Sequence, residues 1–276
     1  MKQRLGAFSW GHLTDALLPV QHTYLIWQMA KREVLGRYKG SAIGIGWSLL
    51  YPLLLLATYT FVFRIIFKAR WPGADDHPGS FALNIFSGLV LFNLFAELVG
   101  RAPRLVVDQP NLVKRVVFPL EVLPWVGAVG AFFHAGLSLA VLIAGALLIQ
   151  STLPLSALAA PLIMLSMLPL LLCLGWLLAS FGVFLRDISQ MTPPFLNVLI
   201  FLTPVLYPAS ALPEGVQRWL GLNPLSLPIE SLRAALLMGQ WPNWTAMLIY
   251  TASWTALAAL AAFAFWRLRP AFADQI

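Results

Sequence analysis

Long apolar runs alternate with short polar, proline-punctuated connections along nearly the whole chain, and the runs recur at about the 20-residue length a helix needs to cross a bilayer. Read in order, they predict spans over residues 42–63, 81–100, 122–149, 157–184, 192–207 and 244–266. The first makes roughly 33 Å of helix and carries Pro52 in its interior, which implies a kink. In the third, Gly127, Gly130, Gly136 and Gly145 permit close helix approach. The fourth contains Pro161 and Pro169, and the fifth opens with Pro193 and Pro194, residues suited to a helix's first turn. Residues 209–243 break the pattern. PEGVQRWLGL and PLSLPIESLRAALLMG are too apolar for a free loop and too short to cross, and they hinge at Asn223 and Pro224. They predict two re-entrant or interfacial half-helices between spans five and six.

Two stretches have a mixed period. From Gln21, QHTYLIWQMAKREVLGRYKG places Tyr24, Trp27, Val34, Leu35 and Tyr38 on one side at 100° per residue, with Lys31 able to snorkel from it and Arg32, Glu33 and Arg37 facing away. That describes an amphipathic helix in the headgroup plane, delivering Arg37, Tyr38 and Lys39 to the mouth of span one. Residues 1–41 contain no apolar run long enough for a signal peptide, so span one is expected to remain as an uncleaved anchor. The chain divides into this N-terminal segment, 1–41, and a membrane domain, 42–276. The second stretch is RAPRLVVDQPNLVKRVVFPLE, residues 101–121, a charged island between spans two and three. After Pro110, NLVKRVVF can form about two helical turns, with Leu112, Val113, Val116 and Val117 on one side, Lys114 and Arg115 toward the other, and Pro119 as the stop. A short helix held between two spans can pass force between the bilayer and something outside it; a plain basic loop is the simpler reading.

Composition settles the class. Of 276 residues, 59% are hydrophobic and 11% charged, which makes an all-α polytopic membrane protein; the ten-residue alternating segments of a β-barrel are missing. The formal charge of +7 comes from cations beside the spans, so it speaks for anionic headgroups, topology and an anionic substrate, and not for nucleic acid. With both termini inside, the inner segments carry thirteen Lys and Arg and the outer segments five, which predicts cytoplasmic termini and a cytoplasmic island. The one cysteine, Cys173, lies in an apolar run and reads as packing.

Candidate chemistry is sparse. No phosphate-cradling GxxxxGK[ST] loop occurs, the four histidines are too scattered to suggest a metal site, and no ionisable group lies in the middle of a span as an ion-coupled carrier needs. A membrane enzyme's paired acid or nucleophile set is also missing. Glu97 sits near the end of span two, the one acid inside an apolar run, and its closeness to Arg101 predicts an interfacial ion pair. Trp47, Tyr51, Thr58 and Phe61 form a stripe on span one, read either as an interfacial belt with core packing or as the lining of a passage. Asn197, Phe201, Pro204 and Pro208 share a face of span five. A kinked aromatic-lined span, a force-transmitting helix and an outer hairpin suit a passage driven by a separate motor.

Several blocks carry a resemblance. EVLGRYKGSAIGIGWSLLYP, NLVKRVVFPLEVLP, FLRDISQ, and TPVLYP followed by LNPL resemble the permease subunit of type 2 ABC exporters of polysaccharide, the group serving capsule and O-antigen export; the match runs from about residue 20 onward. The resemblance implies a homodimer of six-span subunits with a channel at their interface, a lipid-linked glycan as substrate, and two copies of a separate ATPase subunit carrying ATP and magnesium. The chain itself would bind no cofactor or metal. Carried over by residue, Lys114, Arg115, Phe118 and Pro119 would couple to the ATPase. Arg37, Tyr38 and Lys39 would form the cytoplasmic entrance, where cations suit a lipid-linked phosphate. Trp47, Tyr51, Thr58, Phe61, Asn197 and Phe201 would line the channel, since sugar C–H faces pack on aromatic rings. Asn223, Pro224, Glu230 and Arg233 would shape an outer gate. Permeases for teichoic acid, lipid or drug, and a carrier or channel without an ATPase, stay open as alternatives.

Overall fold

The computed structural model describes residues 16–66, 71, 78–113 and 118–275, and every regular element among them is helical. In chain order these are α1 (Thr23–Tyr38), α2 (Trp47–Tyr59), which continues as a π-helical stretch over Thr60–Ile66, and α3 (Pro78–Arg101). Next come the short α4 (Pro110–Val113), α5 (Leu123–Gln150), α6 (Ala160–Ser166) and α7 (Leu168–Phe184). The chain closes with α8 (Ile188–Leu199), α9 (Glu214–Leu220), α10 (Ser226–Leu237) and α11 (Trp244–Gln275). Residues 67–70 and 72–77, between the first and second predicted spans, lie outside the described residues.

Among the described residues, four stretches are long and apolar enough to cross a membrane: Gly79–Arg104, Leu120–Gln150, Leu155–Phe184 and Trp244–Gln275. The spans predicted first and fifth are shorter helices. α2 begins five residues later than expected, after a 3-10 turn at Gly44–Gly46. α8 begins four residues early, so Pro193 and Pro194 fall in its interior and not in its first turn, and it ends eight residues short of the expected limit. Its 12 residues make about 18 Å of helix against a hydrocarbon core of about 30 Å. Past Leu199 the ladder tightens, with the Phe201 and Leu202 N–H groups donating to carbonyls three residues back, and Pro204 has no N–H with which to resume it. In the fourth span the helix is interrupted at Met167, between α6 and α7, where Pro169 has no N–H to give Leu165 and stands in the first turn of α7.

α3 is the axis of the fold. Helices apolar on every side occur throughout this chain, so hydropathy alone does not tell which are surrounded by protein. In α3 the burial is nearly complete, with Leu83, Ile85, Phe86, Leu89, Leu91, Leu94 and Leu98 all enclosed. α2, α5, α7, α8 and α10 pack around it, and α11 packs most extensively on α7. Small residues permit the closest crossings. A Cβ at Gly127 would stand 2.8 Å from Leu98 Cδ1, and one at Gly182 would overlap the carbonyl oxygen of Pro103. Gly136, grouped with Gly127 by sequence, meets nothing within 4 Å.

A helix forms over Thr23–Tyr38, within the stretch predicted from Gln21, and one of its predicted faces is reversed. Tyr24, Trp27 and Leu35 are exposed, while Ile26 and Ala30 bury against Val122 and Val126 at the foot of α5. Glu33 and Arg37 do not face away from the body of the protein but toward it, because their partners are charges on α3 and not water.

Candidate functional site

α1 ends where α2, α3 and α5 converge, and the four helices enclose a cavity of about 590 Å³ lined by Arg37, Tyr38, Trp47, Tyr51, Asn93, Glu97, His134 and Ser138 among others. Its charged wall is assembled from distant parts of the chain. Arg37 Nη1 lies 2.9 Å from Glu97 Oε1, and His134 Nδ1 lies 2.8 and 3.0 Å from the two carboxylate oxygens. The other ring nitrogen of His134, Nε2, stands 3.1 Å from Tyr38 OH. Tyr38 and His134 also meet edge to face, centroids 6.1 Å apart.

Glu97 therefore does not form its ion pair with Arg101. Arg101 Nη1 pairs instead with Glu33 Oε1 at 2.5 Å. The reason is register. α1 and α3 each carry a Glu four residues before an Arg, Glu33 with Arg37 and Glu97 with Arg101. Where the two helices cross in opposite sense, each acid meets the other helix's base. The two bridges staple α1 across α3.

The aromatic stripe has a clear placement. Trp47, Tyr51, Thr58 and Phe61 are all exposed on the surface of this chain, whereas Ser48 and Pro52 are buried. The stripe therefore does not pack in the chain's own core. Trp47 and Tyr51 open into the cavity beside Arg37 and Tyr38. Thr58, Phe61, Asn197, Phe201 and Lys39 do not line that cavity; they are exposed elsewhere on the chain.

Of the residues expected to couple to an ATPase, Lys114 and Arg115 lie outside the described residues. Phe118 and Pro119 are half-buried, and Pro119 is extended and opens a 3-10 turn at Leu120–Val122. Three long-range bonds among the described residues hold this exit: Arg269 Nη2 donates to Phe118 O at 2.7 Å, Arg269 Nη1 to Glu121 Oε2 at 3.2 Å and Trp176 Nε1 to Glu121 O at 3.1 Å.

At the other end, the half-helices appear as α9 and α10, hinged where predicted. Asn223 Nδ2 donates to Leu202 O at 3.0 Å and Thr203 Oγ1 at 2.9 Å, and its Oδ1 accepts from Leu225 N at 2.9 Å. Pro224 beside it is half-exposed. Arg233 is 1% exposed. It donates to Asn84 O at 3.2 Å, Pro204 O at 3.0 Å and Glu230 Oε1 at 2.7 Å, and its guanidinium lies 4.4 Å from the Trp71 ring centroid. It fastens α10 to α3 and to the chain reversal after α8. Sequence reading had no means of finding Asn84, Trp71, His134 or Arg269 as partners, since each lies far along the chain from the group it serves. The paired Glu-x3-Arg spacing was the one available signal.

The sequence model of the ABC-2 type transporter family matches residues 24–237 of this chain. A relative from Myxococcus xanthus, described as an O-antigen export system permease protein RfbA, is 27% identical over 258 residues, 93% of this chain and 96% of the relative. Two proteins from Klebsiella pneumoniae carrying the same description are 23% and 22% identical over 233 residues, 84% of either chain in each case.

Proposed function

Because the chain belongs to the ABC-2 type transporter family, we propose that it is the membrane-spanning subunit of an ATP-driven exporter that moves a lipid-linked polysaccharide, of the O-antigen class, across the inner membrane. It works as a homodimer with two copies of a separate ATP-binding subunit, which hold ATP and magnesium. Both termini are cytoplasmic, as the distribution of Lys and Arg favours. Segments α2 with its π-helical extension and α8 with the chain after it serve as the first and fifth of six crossings, and α9 and α10 form a re-entrant outer gate.

The cavity at the end of α1 carries this reading. It sets a cation and hydroxyls at one mouth and aromatic faces behind them, in the order a phosphate-linked sugar chain would meet them. Arg37 can engage a lipid-linked phosphate, and Trp47 and Tyr51 can hold successive sugars weakly, on the order of 1 kcal/mol per ring contact, which lets a polymer slide. The exposure of the whole stripe also supports it, since a channel at a dimer interface needs a face that its own chain leaves uncovered.

Deletion of the gene tests the reading. The expected outcome is loss of surface glycan with lipid-linked glycan retained inside, restored by the wild-type chain and not by Arg37→Glu. Normal surface glycan in the deletion strain would refute it.

A further inference from the structure

The last helix is longer than a crossing requires. α11 has 32 residues, about 48 Å, against a hydrocarbon core of about 30 Å. Its final turns do not fray. Phe272 is fully buried and meets Phe265 at 5.3 Å and Phe184 of α7 at 5.9 Å, so α11 and α7 stay packed to the ends of both helices. Arg269 stands one turn after Phe265 and reaches across to the charged island. One nitrogen donates to Phe118 O at 2.7 Å and the other to Glu121 Oε2 at 3.2 Å. The Glu121 carbonyl is held in turn by Trp176, a fully buried residue of α7.

The island's entry bears on the same pair of helices. Pro103 O occupies the space that any side chain at position 182 would fill, in the last turn of α7. Both ends of the island, Pro103 at the start and Phe118 to Glu121 at the exit, are thus seated on α7 and α11. The entry contact is steric and pushes in one direction only. The exit contact is a pair of charge-assisted bonds, which can pull as well.

We propose that Arg269 is a positioning residue for energy coupling. It fixes the exit of the island to the last helix, so that a displacement of the island moves α7 and α11 with it and is not absorbed by the chain between Pro119 and α5. The guanidinium suits this role because two of its nitrogens are used at once, one on a main-chain carbonyl and one on a carboxylate; a lysine ammonium is a single point charge. The inference rests on the reading of the island as the ATPase contact.

The test uses the full complex of this chain with its ATPase subunit. Arg269→Gln should leave the ATPase bound at the wild-type ratio and hydrolysis within about twofold of wild type, while surface glycan falls about tenfold, the scale of one charge-assisted hydrogen bond. Arg269→Lys should restore export in part. Arg267→Gln, the same charge change at an exposed position two residues away, should leave export unchanged. Wild-type export from an abundant Arg269→Gln chain overturns the proposal, and so does loss of the ATPase subunit, which would make Arg269 a docking contact. If Arg269→Gln does not accumulate, Glu121→Gln decides between the outcomes: it keeps the Phe118 bond, and reduced export with intact hydrolysis is expected, while unchanged export overturns the idea. Failure of the underlying reading looks different, because there the wild-type chain itself would neither hold an ATPase nor export glycan.

Discussion

If Glu33–Arg101 and Arg37–Glu97 staple α1 across α3, neutralising one pair must behave as the loss of a single interaction. Consider Glu33→Gln, Arg101→Gln and the double variant. The side chains are 26% and 38% exposed and 2.5 Å apart. A bare Coulomb estimate at an effective dielectric constant of about 20 would be several kcal/mol, but solvent screens a pair this open, and about 1 kcal/mol is the reasonable scale. Gln introduces no charge, so the cycle is cleaner than a swap of signs, which would set like charges four residues apart on both helices. Each single change should cost about 1 kcal/mol, a fall of roughly 2–4 °C in the midpoint of thermal unfolding for a chain of this size. The double variant should cost no more than either single one. Unfolding followed by tryptophan fluorescence in detergent gives all three values, and α1 carries Trp27 as a local reporter. Additivity to within about 0.5 kcal/mol would mean that the two groups do not interact, and would refute the staple.

Three further outcomes are expected. Tyr51→Ala removes an exposed ring and should cost less than about 0.5 kcal/mol of stability while lowering surface glycan; normal export from an abundant Tyr51→Ala and Trp47→Ala double variant would remove the channel assignment. Arg233→Met leaves the buried Pro204 carbonyl without its donor and removes the Trp71 contact, a cost of about 2–4 kcal/mol partly offset by no longer burying a charge, to be read as reduced membrane yield and midpoint. Replacing Lys114 and Arg115 together by Gln should preserve insertion but weaken ATPase co-purification, in a manner that rising salt reproduces on the wild type.

The chain's own order of residues determined its class, its connections and its punctuation. Apolar runs of bilayer length admit few folds, because a backbone in hydrocarbon must satisfy its hydrogen bonds within a helix or a closed barrel. The Asn223–Pro224 hinge formed where expected, since a missing N–H and a fixed φ act within a few residues. Proline misled only over reach: Pro193 and Pro194 looked like a helix start, yet Thr192 and the residues before it already had carbonyl partners one turn back, so α8 began at Ile188. Arg37, Tyr38, Trp47 and Tyr51 were each legible as candidates. That they share one cavity was decided by tertiary structure, because the crossing of α1 over α3 sets which Glu meets which Arg. The same holds for His134 between Glu97 and Tyr38, for Arg233 buried among carbonyls of two segments, and for Arg269 on the island. A hydropathy pattern records that a helix is apolar on every side; whether lipid or protein covers that side is settled only when its neighbours have packed, as α3 and α11 illustrate with nearly equal apolarity and opposite surroundings.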